Sequence, residues 1–146
     1  MHVRRAGPSD AEAIAEVFIP SFESLTFLPM LHTHDEDRAF VRSLVADHEV
    51  WVAEDDGGIV GFAALTADML SHLYVHPDAQ GRGAGTVLME RAEQRRPAGF
   101  TFWVFQENER ARRFYEARGC RLVELTDGSG NEEKTPDALY EWRPAG

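Results

Sequence analysis

The six residues Gln80-Gly81-Arg82-Gly83-Ala84-Gly85 constrain this chain most. They lie between a strand-like run, Leu70 to Val75, closed by His76-Pro77, and a run of helical apolar spacing, Thr86 to Ala92. Alternate glycines let the backbone turn without Cβ clashes and aim successive N–H groups at one anion. The helix behind adds its unbonded N–H groups and its positive dipole end. A phosphate or pyrophosphate is the natural guest. A Walker loop is excluded because it ends in Gly-Lys-Ser/Thr, and the single lysine, Lys134, lies far downstream. A G-x-G-x-x-G dinucleotide loop counted from Gly81 and Gly83 puts Thr86 where the third glycine belongs. Two readings remain: the pattern Gln/Arg-x-x-Gly-x-Gly/Ala, met by Gln80, Gly83 and Gly85, and a plain glycine-rich turn before a helix.

The rest of the chain supplies elements around this loop. Val3 to Arg5 reads as a short strand, and Ser9-Asp10-Ala11-Glu12 has capping-box spacing before a helix from about Asp10 to Phe18, ended by Pro20. Thr33-His34-Asp35-Glu36 repeats the box before a second helix from His34 to Asp47, with Phe40, Val41, Leu44 and Val45 on its apolar face. Val50–Glu54 and Ile59–Thr66 form a hairpin around Asp55-Asp56-Gly57-Gly58. Phe100–Phe105 has the composition of a strand covered on both faces, so Trp103, like Trp142, reads as core. Asn108 opens a helix that Gly119 closes. Arg121–Leu125 and Ala138–Trp142 end the chain as strands. The order β-α-α-β-β-β-α-β-α-β-β predicts an α/β (α+β) fold, a mixed central sheet flanked by helices, in a single domain over residues 1–146.

Charge narrows the function classes. Lys+Arg is 15 against 25 Asp+Glu, a net −10, which argues against a general nucleic-acid binder. Residues 80–121 nevertheless hold nine arginines and five glutamates, a local +4, leaving −14 on the remainder. That split suggests two partners of different charge. One cysteine forms no internal disulfide, so a cytoplasmic location is expected. No apolar run reaches signal-peptide or membrane-span length, and neither membrane nor metal binding is expected.

Strand Leu73-Tyr74-Val75, the His-Pro stop, the glycine loop, an amphipathic helix, an apolar strand and then Asn108-Glu109-Arg110-Ala111-Arg112-Arg113-Phe114-Tyr115 resemble the GCN5-related N-acetyltransferase (GNAT) family. The resemblance spans the chain in element order and residues 70–120 in motif detail. It implies acetyl-CoA as cofactor, with Leu73, Tyr74 and Val75 along the pantetheine and acetyl group. Gln80, Gly81, Arg82, Gly83, Ala84, Gly85 and Thr86 would surround the pyrophosphate, and Asn108, Ala111 and Phe114 would form the second wall. Tyr115 matches the family tyrosine near the thioester sulfur. Cys120 departs from the family's usual phenylalanine and reads as a small buried hydrophobe. Many members are dimers, which makes the C-terminal strands a plausible homodimer edge.

The implied reaction is direct acetyl transfer to an amine. An alkyl ammonium of pKa about 10.4 is almost wholly protonated at pH 7, so a proton acceptor is needed. His72 is the leading candidate, beside Asp68, His32 and His34. The Val75 N–H would steady the oxyanion, and Tyr115 would protonate the leaving thiolate. Residues 19–36 and the loop 128–137 would shape the acceptor side, with Phe22, Glu23, Phe27 and His32 as candidate contacts. A small-molecule amine is the favoured acceptor. Alternatives are a protein or peptide amine, a hydroxyl, another acyl-CoA, and a CoA-binding regulatory module without turnover.

Overall fold

The computed structural model describes residues 1–145. Its elements run β1 (His2–Arg5), α1 (Ala11–Glu23), α2 (His34–Asp47), β2 (Glu49–Asp55), β3 (Gly58–Leu65), β4 (Leu70–Val75), α3 (Ala84–Arg95), β5 (Phe100–Phe105), α4 (Glu109–Ala117), β6 (Arg121–Leu125) and β7 (Asp137–Trp142). This is the expected order, and the fold is a mixed α/β one.

The central sheet is divided. Strands β1-β2-β3-β4 form one antiparallel sheet and β5-β7-β6 another, joined where β4 meets β5 by a single parallel bridge, Met69 to Thr101. Period-2 burial gives each strand two destinations. Val50, Val52, Phe62 and Ala64 pack with Ile14, Val17, Phe18, Val41 and Leu44 of α1 and α2. Ala53, Ala63 and Leu65 turn the other way, joining Leu88 and Met89 of α3, Tyr115 of α4 and Phe100, Phe102 and Val104 of β5.

Helix α1 runs through Pro20 instead of stopping before it. Proline deprives the helix of one N–H, while the Ser21 hydroxyl donates to the Val17 carbonyl at 2.6 Å and Ser24 N–H to the Pro20 carbonyl at 3.0 Å. Ile19 and Ser21 stay buried, so packing of the apolar face outweighs the missing bond. The box expected at Ser9 does not form, because Asp10 accepts from Gly7 N–H at 2.9 Å and from the Arg4 guanidinium. Those contacts draw the Asp10 carboxyl down to about 2, the Arg4 hydrogen bond being the larger cause. The Thr33 box does form: Glu36 N–H donates to Thr33 Oγ1 at 3.1 Å and Thr33 N–H to Glu36 Oε1 at 2.8 Å, a cap worth about 1 kcal/mol.

Strand β5 is not covered on both faces. Phe102 is buried while its neighbour Trp103 is 46% exposed. Trp142, by contrast, stacks on Phe100 at 5.5 Å. Strand β6 is the outer edge of its sheet and exposed throughout, Leu122, Val123 and Leu125 included. No helix among the described residues is long and apolar enough to cross a membrane.

Candidate active site

Parallel strands β4 and β5 separate beyond the Met69–Thr101 bridge, and the gap is where the candidate residues meet. Gly61 faces Val75 and Ala63 faces Leu73 across the β3–β4 ladder, while His76 N–H donates to the Val60 carbonyl at 2.8 Å. Antiparallel alternation therefore turns the N–H and C=O of Leu73 and Val75 away from β3, into the gap. The Val75 carbonyl accepts from the Ser21 hydroxyl at 2.9 Å and the Gln80 amide at 3.4 Å. The two N–H groups point at open space.

At the end of β4 the glycine loop closes this cleft. Gly81 and Gly83 hold φ of +84° and +94°, and nothing lies within 4 Å of where a Cβ would stand. The free room over the loop keeps its N–H groups accessible. Gly83 caps α3, whose first intrahelical bond runs from Val87 N–H to the Gly83 carbonyl at 3.1 Å. The N–H groups of Ala84, Gly85 and Thr86 are therefore unused by the helix. Phe114 closes the far side, 3.6 Å from the Cβ position of Gly85. Asn108 caps α4 by accepting from Ala111 N–H at 3.3 Å. The cleft has a volume of 760 Å³, and Leu73, Tyr74, Val75, Gln80, Gly81, Gly83, Ala84, Gly85, Thr86, Asn108, Ala111, Phe114 and Tyr115 all line it.

Behind the cleft a narrow slot of 90 Å³ passes between β4 and β5, bordered by His72, Tyr74, Trp103, Phe105 and Tyr115. Tyr115 sits where slot and cleft meet, packed on Phe102 at 4.4 Å and Phe114 at 5.2 Å. Burial, with lesser contributions from Cys120 and Tyr74, raises its phenol well above the ordinary value, so it stays protonated at every working pH. Tyr74 is raised in the same direction by burial and by the Glu133 charge. Its side chain turns to the α1 face, edge-on to Phe18 at 5.3 Å, so its contribution to the cleft is mainly backbone. His72 lies beside Phe40 at 5.4 Å with Nδ1 3.1 Å from Ser71 Oγ. Desolvation, helped by His48, drops its imidazole to about 4, leaving it neutral and weakly basic at pH 7.

The remaining candidates lie outside the slot and cleft. Asp68 stands at the strand joint, its carbonyl accepting from Thr101 N–H at 3.2 Å. His34 faces Glu23 at 3.3 Å, and His32 bonds Glu132, which raises the His32 pKa. That pair ties the α1–α2 connection to the β6–β7 loop. Phe27 reaches β5, edge-on to Phe105 at 6.0 Å, whereas Phe22 stacks on Phe18 at 5.7 Å. Arg82 is turned to Asp55 at 3.8 Å.

The arginine surplus is also largely engaged elsewhere. Arg95 and Arg96 pair with Glu49, Arg118 with Glu93, Arg121 with Glu141, and Arg112 donates to the Tyr140 hydroxyl at 3.0 Å. Arg110 is the arginine that borders the cleft. The local +4 therefore does not convert into a basic cofactor wall. Cys120 is buried, its thiol pushed up to about 11 by desolvation, an unreactive hydrophobe.

Residues 46–119 match the family model for the acetyltransferase (GNAT) domain. The chain is 34% identical to an uncharacterized N-acetyltransferase of Archaeoglobus fulgidus over 90% of this chain and 100% of that one. The chain belongs to the GNAT acetyltransferase family. It is an acyltransferase. A peptidyl-lysine N-acetyltransferase of Escherichia coli, YiaC, is 30% identical over 96% of this chain and 95% of its own. The apo solution structure of E. coli YjaB superposes with a TM-score of 0.80 at 26% identity, covering 99% of this chain and 98% of that one.

Acetyl-CoA, the GNAT donor, is compatible with the donor groups present: two outward N–H groups on β4 suit an amide-bearing arm, and the open loop with a free helix N-terminus suits a pyrophosphate. Sequence reading missed Ser21, Ser24, Leu25 and Arg110 in this GNAT cleft. Arg110 was within reach, two residues past the Asn108 cap. Ser21 of α1 was not, because a helix stopped before Pro20 leaves it out, and Ser24 and Leu25 follow that helix's end.

Proposed function

We infer that this enzyme acetylates primary amines with acetyl-CoA, holding the donor along β4 and the glycine loop and admitting the acceptor through the slot. The observation that carries this is the gap between β4 and β5, with unpaired Leu73 and Val75 N–H groups at one wall and Tyr115 at its floor. Bound acetyl-CoA supplies an acetyl thioester, whose acyl carbon passes from sulfur to a neutral amine nitrogen with loss of one amine proton and release of the thiol.

The residues divide the work by position. Leu73 and Val75 orient the donor through backbone hydrogen bonds, and the Val75 N–H faces the oxygen that gains charge. Gly81 to Thr86 hold the phosphates through N–H groups, with Gln80 and Arg82 at the edge and Asn108, Ala111 and Phe114 opposite. Tyr115, kept neutral by burial, donates its proton toward the departing sulfur. His72, at about 4, is too weak a base to strip an ammonium; its ring nitrogen accepts a hydrogen bond from the incoming neutral amine. The slot itself favours that neutral form, because desolvation lowers an amine's pKa. The proton that the amine nitrogen loses returns through water to Tyr115 and restores its hydroxyl, so the net transfer is from nitrogen to the released thiol.

A small-molecule amine is the acceptor this reading favours, in a cytoplasmic setting. A lysine side chain of a protein is the second reading, supported by the open groove beside Trp103 and by the activity in the name of YiaC. The exposed β6 edge supports a homodimer. Thiol release from acetyl-CoA, measured against alkylamines, amino acids and lysine peptides, tests the reaction and ranks the acceptors. Tight CoA binding without thiol release for any of them sinks the enzyme reading.

A further inference from the structure

Outside the slot lies an open groove of 560 Å³ that no helix borders. One wall is Trp103 and Phe105 on β5, and the other is the β6–β7 loop. Groove and slot share Trp103 and Phe105, while slot and cleft share Tyr74 and Tyr115, so the three adjoin in sequence.

The loop is a built wall. Gln106 donates to the Thr126 and Asp137 carbonyls at 2.8 and 2.9 Å, and Asn131 donates to the Thr135 carbonyl at 2.7 Å. Its acidic side chains are engaged one by one: Asp127 with Ser129 N–H, Glu132 with His32, Asp137 with Thr126 and Asn131. Glu133 is the exception. Half-buried in the groove, it forms no side-chain hydrogen bond or ion pair among the described residues, and Lys134 beside it reaches for the Ser129 carbonyl instead. Trp103 presents an indole to the same groove from the middle of a strand whose flanking residues are buried or half-buried. An aromatic face and an uncompensated carboxylate in one groove suit a cation.

Resting on the acetyl-transfer reading above, we propose that Trp103 and Glu133 form a subsite for a second positive charge on the acceptor, making the substrates primary amines that carry another cation. The slot is the smaller space, 90 Å³ against the groove's 560 Å³, so the reacting amine enters the one while the rest of the acceptor lies in the other. The reacting amine must enter neutral, so the second charge is the one that recognition can use. Glu133 lines the groove that meets the slot at Trp103 and Phe105.

The test compares n-pentylamine with 1,5-diaminopentane, which differ by the second ammonium, and a Lys-Arg with a Lys-Ala peptide as the macromolecular source of the same chemistry. Wild type is expected to prefer the dication about tenfold in kcat/KM, through KM. Trp103→Ala and Glu133→Gln each bring that ratio to within about twofold of unity. CoA titration of each variant establishes that it is folded; should Trp103→Ala fail to bind, Glu133→Gln decides by the same ratio. Equal use of monoamine and diamine by wild type, or a preference that survives in both variants, overturns the subsite and leaves acetyl transfer standing. Absence of thiol release with all four acceptors overturns both.

Discussion

The two ends of the series from cleft to groove are made of different materials. At the proposed cofactor end the groups on offer are backbone N–H groups, from Leu73, Val75 and the Gly81–Thr86 stretch. At the proposed acceptor end the groups are side chains brought from three segments: His72 on β4, Trp103 on β5 and Glu133 in the last loop. A backbone site tolerates change in what its residues are but not in the angles they hold. A side-chain site does the reverse, so one fold can keep its donor while its acceptor varies.

Substitutions at the meeting point and at either end separate the two. Tyr115→Phe removes the proposed proton donor at the meeting of slot and cleft, and kcat is expected to fall about 100-fold with the CoA Kd little changed; steady-state kinetics beside CoA titration show it, and unaltered kcat takes Tyr115 out of the chemistry. Gly83→Val forces a β-branched residue to φ near +94°. The strain is on the order of 1–2 kcal/mol, which weakens CoA about tenfold or more, whereas acceptor KM at saturating donor stays near its wild-type value. Comparable damage to both constants erases the distinction between the ends. Arg110→Gln is milder: a cleft-lining charge that is exposed to solvent contributes about 1 kcal/mol or less, so CoA affinity falls a few-fold at low salt and converges with wild type at high salt.

His72 gives an effect on stability, with a defined sign. Its folded pKa of about 4 lies below the ordinary 6.5, so between these values the unfolded chain binds a proton that the native chain refuses. Native stability therefore declines as pH falls from 6.5 towards 4. His72→Gln removes that share, and urea unfolding at pH 7 and pH 5 is expected to show a smaller acid loss than in wild type. The alkaline rise of the rate persists in the same variant, since the amine's own ionisation governs it. Disappearance of that rise restores His72 as the base.

The same contrast explains what the sequence discloses. A site made of backbone writes itself in glycines, and Gln80 to Gly85 mark a strand-to-helix loop with positive φ at Gly81 and Gly83 that the structure bears out. Element order and the Thr33 box were legible for the same local reason. Trp103 was misread as core because an apolar strand looks alike whether covered on one face or two, and only the sheet's division at Met69–Thr101 leaves its outer face bare. Pro20 was misread as a stop because the burial of Ile19 and Ser21 on the packed face of α1, which carries the helix past the proline, is a tertiary fact. The arginine surplus misled because counts carry no partners: Glu49, Glu93 and Glu141 lie far along the chain from some of the arginines they engage.

Amide chemical shifts followed during a CoA titration test the division most directly. The largest changes are expected at Leu73, Val75 and Gly81 to Thr86, with the Trp103 indole and the amides of residues 126–137 nearly still. Shifts concentrated at Trp103 and that loop, with the glycine stretch unmoved, would contradict a donor held by backbone at one end and an acceptor held by side chains at the other.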